Sequence, residues 1–213
     1  AHAGAWETSG GLTLLVDAPT MLAVTGAVAT VEVDHGPPVG WGSPVVLPAG
    51  ATLRVGRLQH GARVYVATRG GCAAPVHDRC SVGPDPGTPA ATHAAPHVPV
   101  STTVRLWKGP RLHWFADGAW PALVGHEFVV TATSRVGARL RGARLERATF
   151  DELPSEGLIE GAVQVPPDGN PIIMLADHPT TGGYPVIAVV DPADLGVVAQ
   201  APAGSHLHLV AAR

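Results

Sequence analysis

The chain has 213 residues, 46% of them apolar and 15% charged, with a formal net charge of −3. This composition excludes a disordered chain, and the charge leaves no basic excess to hold nucleic acid or an anionic membrane. The length allows one large domain or two small ones, each able to bury a core.

Glycine (26) and proline (21) punctuate the sequence every few residues, which favours short strands over long helices. Lys108 is the one lysine among 14 basic residues, so a catalytic lysine has a single candidate. Cys72 and Cys80 are too few for a disulfide framework and are expected as free thiols of a cytoplasmic protein. No stretch approaches the roughly 18 apolar residues of a membrane span. The opening Ala-His-Ala-Gly-Ala-Trp-Glu lacks the basic and apolar regions of a signal peptide.

In chain order, Leu12–Val16 is a short β-prone run ended by Asp17-Ala18-Pro19. Met21–Thr25 and Ala27–Val33 flank Gly26 as two strand segments, the second alternating as a half-buried strand does. Asp34–Pro38 reads as a turn, and Val45–Gly50 as a strand end and turn. Thr52–Gly56 and Ala62–Thr68 alternate again. Residues 83–99 carry proline every few positions and are read as a linker or long loop between two β-rich halves, 1–82 and 100–213. The second half resumes with Thr103–Trp107, Glu127–Thr133, Pro171–Ala176 and Val186–Val190. Asp191 and Pro192 then predict the start of a short helix reaching about Ala199–Gln200. His206–Val210 closes the chain as a strand. The predicted class is mainly β, an antiparallel barrel or sandwich with few short helices.

Chemistry concentrates in two segments. Gln164 on one apolar strand and Asp177-His178-Pro179-Thr180-Thr181-Gly182-Gly183-Tyr184 after the next bring together an amide, a carboxylate, two hydroxyls and a phenol. Such a set suits an acyl or carboxamide group, and Gly182 and Gly183 let backbone approach it. The same residues also spell an ordinary hairpin turn. In Thr133–Gly142, Arg135 and Arg139 fit a carboxylate clamp or, equally, a solvated basic turn. His178 is a weaker candidate for a general base. The histidines scatter without the convergent ligands a metal needs, and no nucleotide-binding glycine loop or serine-hydrolase elbow is present.

These stretches resemble the family of allophanate hydrolase subunit 2, KipA and the C-type subunit of 5-oxoprolinase, which is similar to a carboxyltransferase segment of urea carboxylases. The resemblance rests on Leu153–Gly157, Gln164–Pro167, Pro171–Ala176, Asp177–Tyr184 and Asp194–Gln200. Weaker likeness extends to Thr25–Ala27, Pro48–Gly50, Gly61–Gly71 and Gly109–Phe115. The family's Ser-Asn-Arg stands here as Thr133-Ser134-Arg135, and its usual beginning lies some fifty residues before the first residue of this chain.

The resemblance implies a cyclophilin-like β-barrel and an active site completed by a subunit 1 / KipI-type partner, with a LamB/YcsF-type third subunit in 5-oxoprolinase. That complex opens 5-oxoproline to glutamate with ATP, which no motif of this chain binds. The alternatives it implies are a biotin-dependent carboxyltransferase half-site and a non-catalytic KipA-like regulator. Carried onto this sequence, Gln164, Asp177 and Tyr184 are expected as catalytic. Arg135, Arg139, Thr180, Thr181, Gly182 and Gly183 are expected to bind substrate. The Thr-Gly-Gly-Tyr loop is expected to lie open beside the glutamine strand.

Overall fold

The structure is a computed structural model that describes residues 4–73, 79–85, 87, 101–149 and 151–213. Most of the predicted 83–99 linker lies outside the described residues. The chain divides into two compact units, Ala1–Val98 and Pro99–Arg213.

The first unit is an antiparallel sheet of β1 (Ala5–Thr8), β2 (Leu12–Leu15), β3 (Thr20–Val33), β4 (Pro44–Leu47) and β5 (Thr52–Thr68). Two long strands carry it. β5 pairs with β1, β2 and β3, and β3 also holds β4. The segments read as separate on either side of Gly26 are one strand, as are those on either side of Gly61. Both glycines adopt positive φ (92° and 96°), where the strands bend through irregular register instead of ending. A Cβ on Gly26 would lie 2.4 Å from the Arg63 carbonyl, so a side chain there would push the two strands apart. Leu22, Val24, Val31, Leu47, Leu53, Val55, Val64 and Val66 fill the core.

The second unit contains β6 (Thr103–Lys108), a 3-10 turn at Leu112–Trp114, α1 (Ala119–Gly125), β7 (Glu127–Thr133), β8 (Gly137–Arg141), β9 (Glu156–Gly157), β10 (Ala162–Gln164), β11 (Ile172–Met174), β12 (Thr181–Gly182) and β13 (Val186–Val190). A second 3-10 turn (Pro192–Asp194), α2 (Leu195–Ala199) and β14 (His206–Ala211) complete it. Seven strands close a barrel in the order β10-β11-β8-β7-β14-β6-β13, and β13 returns to β10. All neighbours are antiparallel except β14 and β6, the last and first strands of the unit. Closure leaves the barrel no unpaired edge.

Alternation along the strands sorts two layers. Val104, Leu106, Phe128, Val130, Ala138, Leu140, Val163, Ile173, Ile187, Leu207 and Leu209 share the main core. Ala162 and Met174, one residue out of phase, join Leu158 and Val186 in a second small core. Leu158 directly follows β9, and β9 pairs only with β12. The two-residue β9–β12 ladder therefore forms a flap on the outer face of the barrel.

The segment read as a basic turn is largely β8: Ala138 and Leu140 point into the core, and Arg139 and Arg141 are exposed. The predicted Asp191 cap is present, its carboxylate accepting the Ala193 N–H at 3.1 Å. The helix it starts is split into a 3-10 turn and α2. No helix among the described residues is long and apolar enough to cross a membrane.

Candidate functional site beside the outer flap

β10 runs between β11 and β13, and all three of its residues are buried. Its last residue, Gln164, alternates out of the main core, away from Val163, yet is only 3% exposed because the flap covers it. The Gln164 Nε2 donates to the Tyr184 carbonyl at 2.8 Å. Gly182 lies directly over the amide: a Cβ there would come within 2.7 Å of Nε2 and 2.8 Å of a Leu158 methyl. The expected opening between the loop and the glutamine strand is therefore closed. The flap covers Gln164, and the Tyr184 carbonyl takes its amide nitrogen. Gln164 is among the residues expected to be catalytic, and here its amide nitrogen is engaged with the backbone of the loop that carries Tyr184.

Tyr184 follows the flap and is 44% exposed. Two further arginines, Arg111 and Arg147, are tied to the flap and to the strand beneath it, and the sequence alone did not assign either to the site. Arg111 forks onto Glu156 of β9, Nε to Oε2 at 3.1 Å and Nη2 to Oε1, while its guanidinium centre stacks 5.7 Å from the Trp114 ring. The pair ties the flap to the segment after β6, whose Arg111 N–H bonds the Val186 carbonyl at 3.0 Å. Arg147 bridges in backbone to Phe115 and donates from Nη2 to the Val165 carbonyl. Burial pulls the Arg147 pKa down, partly offset by the nearby Tyr184 phenol. Arg111 and Glu156 fall within the family-like stretches Gly109–Phe115 and Leu153–Gly157, which was their signal in the sequence. For Arg147 nothing in its sequence neighbourhood gave one.

The other expected residues go elsewhere. Arg135 and Asp177 pair with each other, Nε to Oδ2 at 2.5 Å and Nη2 to Oδ1 at 2.9 Å. The Arg135 hydrogen bond holds the Asp177 carboxyl below its ordinary range, so it stays an anion already matched by a cation. Register separates this pair from Gln164. Ile172 stands opposite both Gln164 and Arg139, whereas the Leu175 N–H meets Val136, three residues or about 10 Å further along. Arg139 is exposed on β8 and adds to the field around Asp168, whose carboxyl is lowered first by hydrogen bonds from Asn170. His178 Nδ1 donates to the Pro179 carbonyl at 2.8 Å. Thr180 and Thr181 are exposed, Thr180 accepting the Leu158 N–H at 2.9 Å through its carbonyl. Gly183 is exposed between the flap and Tyr184. Among the described residues no cluster of three or more His, Cys, Asp or Glu is arranged to hold a metal.

The closed seven-stranded β-barrel is of the carboxyltransferase type, and on it a glutamine is held under an external two-strand flap with an exposed tyrosine at the margin. The chain belongs to the carboxyltransferase domain family, subdomains A and B, whose model matches residues 2–81 and 75–211. It is 33% identical to the C-type subunit of 5-oxoprolinase from Escherichia coli (strain K12), over 99% of this chain and 76% of that protein. Identity to the corresponding 5-oxoprolinase protein of Haemophilus influenzae is 31%, over 92% and 71%. Among solved structures it superposes on TTHA0988 with a TM-score of 0.81 and 29% identity, covering 98% of this chain but 46% of that one. It superposes on the Kluyveromyces lactis urea carboxylase with a TM-score of 0.81 at 20% identity, covering 98% of this chain and 23% of that one. That second likeness establishes a shared fold. The chain spans less than half the length of either solved structure.

Proposed function

We propose that this chain is the C-type subunit of an ATP-dependent 5-oxoprolinase, acting with a subunit 1 / KipI-type partner and a LamB/YcsF-type third subunit to open 5-oxoproline to glutamate. The observation that carries the reading is identity to two 5-oxoprolinase subunits of this type along nearly the whole chain. The site supports it in kind. A lactam offers a carbonyl to a phenol donor, and Tyr184 presents one at the surface. ATP falls to the partners. Arg111 is matched by Glu156, and Arg147 alone does not balance a triphosphate. The test is to co-purify the subunits and assay ATP-dependent glutamate release from 5-oxoproline. Release that requires this chain is expected; no release from any complex containing it ends the reading.

A second reading is carboxyl transfer with biotin, favoured by the carboxyltransferase family match. There the Tyr184 hydroxyl would serve the ureido carbonyl. Calorimetry with free biotin and with a biotinylated carrier decides it, and heat from neither removes it. A KipA-like regulator predicts a stable complex whose turnover is indifferent to Tyr184→Phe.

A further inference from the structure

Among the described residues, Arg54 and Arg147 each carry an enclosed Nε with no hydrogen-bond partner, whereas six other arginines, Arg63, Arg69, Arg79, Arg105, Arg111 and Arg135, are paired with carboxylates. Arg147 is partly buried, and no carboxylate faces it among the described residues. Its Nε is enclosed without a hydrogen-bond partner, and its Nη2 bonds the neutral Val165 carbonyl. A cation taken out of water without a counter-charge is costly to keep. Desolvation is the leading influence on this guanidinium.

The anchoring explains why it stays. The Val165 carbonyl accepts from Arg147, and the Val165 N–H donates to the Pro185 carbonyl at 3.2 Å. One residue earlier, Gln164 holds the Tyr184 carbonyl. Arg147 and Tyr184 thus hang on the same two backbone stretches, 164–165 and 184–185. We infer that Arg147 and Tyr184 form the subsite that receives the carboxylate of a small anionic ligand, the ligand supplying the counter-charge that the fold withholds. The identity of that ligand as 5-oxoproline, which carries one carboxylate beside its lactam, rests on the function proposed above. The clamp expected at Arg135 is ruled out for this purpose because Asp177 already occupies its fork.

The test compares ligands and variants by calorimetry on the full chain and by KM on the co-purified complex. 5-Oxoproline is set against 2-pyrrolidinone, the same lactam without its carboxylate. The carboxylated lactam is expected to bind at least about tenfold more tightly, as a charge-assisted bond implies. Arg147→Gln should erase that difference. Arg147→Lys, which keeps the charge but not the fork, should keep part of it. Tyr184→Phe, which leaves the backbone anchors in place, should weaken 5-oxoproline several-fold even if Arg147→Gln fails to fold. Equal binding of the two lactams, or a Tyr184→Phe or Arg147→Lys protein indistinguishable from wild type in both measurements, overturns the subsite. The same titration with acetate and L-glutamate separates the two proposals. Carboxylates that bind in an Arg147-dependent way, from a complex that releases no glutamate, leave the subsite standing and remove 5-oxoprolinase.

Discussion

Gln164 and Tyr184 are joined side chain to backbone, the amide nitrogen of one donating to the carbonyl of the other at 2.8 Å. The bond places a polar side chain in a nearly water-free layer between barrel and flap and fixes the backbone from which the exposed phenol projects. Buried amides of this kind hold a unique geometry because their alternative is an unsatisfied group.

Gly182→Ala tests the closeness of that packing. The new methyl would meet the Gln164 amide at 2.7 Å and Leu158 at 2.8 Å, below any ordinary contact. Overpacking of this size costs about 1–3 kcal/mol. The expected outcome is a lower Tm in calorimetry and weaker ligand binding at Tyr184. Gly183→Ala is the control, since its Cβ would find its nearest neighbour at an ordinary 3.8 Å. A Gly182→Ala protein as stable as wild type would mean that the flap does not seal on the glutamine.

Gln164→Leu keeps the volume but leaves the Tyr184 carbonyl without its donor. Loss of a partner to a buried acceptor costs about 1–3 kcal/mol. Gln164→Glu should be worse at neutral pH, because it asks a carboxylate to sit in the same enclosed layer. Chemical denaturation of the three proteins should rank them wild type, Leu, Glu. A glutamate variant equal to wild type would show that water reaches the residue.

Much of this was legible in the sequence. Strand patterning found β7 and β13 at their full extent, β13 as an unbroken apolar run buried at four of its five positions. It failed at Gly26 and Gly61, where a break in the pattern marks a bend and the ladder continues. It failed again at Gly137–Arg141, since two arginines on the outer face disguise a strand whose buried residues are only Ala138 and Leu140. Within the site, the glutamine and the glycine–tyrosine loop do meet, as the spacing allowed. What sequence could not give is register. Arg135 and Asp177 lie 42 positions apart and neutralise each other, whereas Arg147 reaches Val165 from a loop that shows no pattern of its own.

Cys72 offers a chemical test of the first unit. Its thiol is pushed up by burial, then by the neighbouring Cys80 through charge and hydrogen bonding, and its Sγ donates to the Gly4 carbonyl at 3.1 Å. Both cysteines are free. A raised thiol holds less thiolate at a given pH, and thiolate is the nucleophile. At pH 8, iodoacetamide should therefore label Cys72 several-fold more slowly in the folded chain than in urea, followed by peptide mass spectrometry. Cys80→Ser should recover part of the rate. Equal labelling of folded and unfolded chains would contradict this environment.

Asp194 ties the segment before α2 to the first barrel strand, and its contribution depends on pH. Its carboxylate accepts the Arg105 backbone N–H and Nε, both at 2.8 Å, and Nη2 at 2.9 Å. The Arg105 side-chain hydrogen bonds are the main reason its pKa lies below the ordinary carboxylate range. A carboxyl with a folded pKa below its unfolded value of about 4 adds stability that is fully present above that value. The contribution fades as pH falls through the lower, folded pKa. Asp194→Asn keeps the shape but loses the charge, at a cost of roughly 1–3 kcal/mol near neutrality. The Tm difference between wild type and variant should be largest at pH 6–8 and shrink steadily below about pH 4. A difference that stays constant down to acidic pH would mean the carboxylate is not charged where it meets Arg105, and the link between β6 and the α2 segment would have to be sought in packing alone.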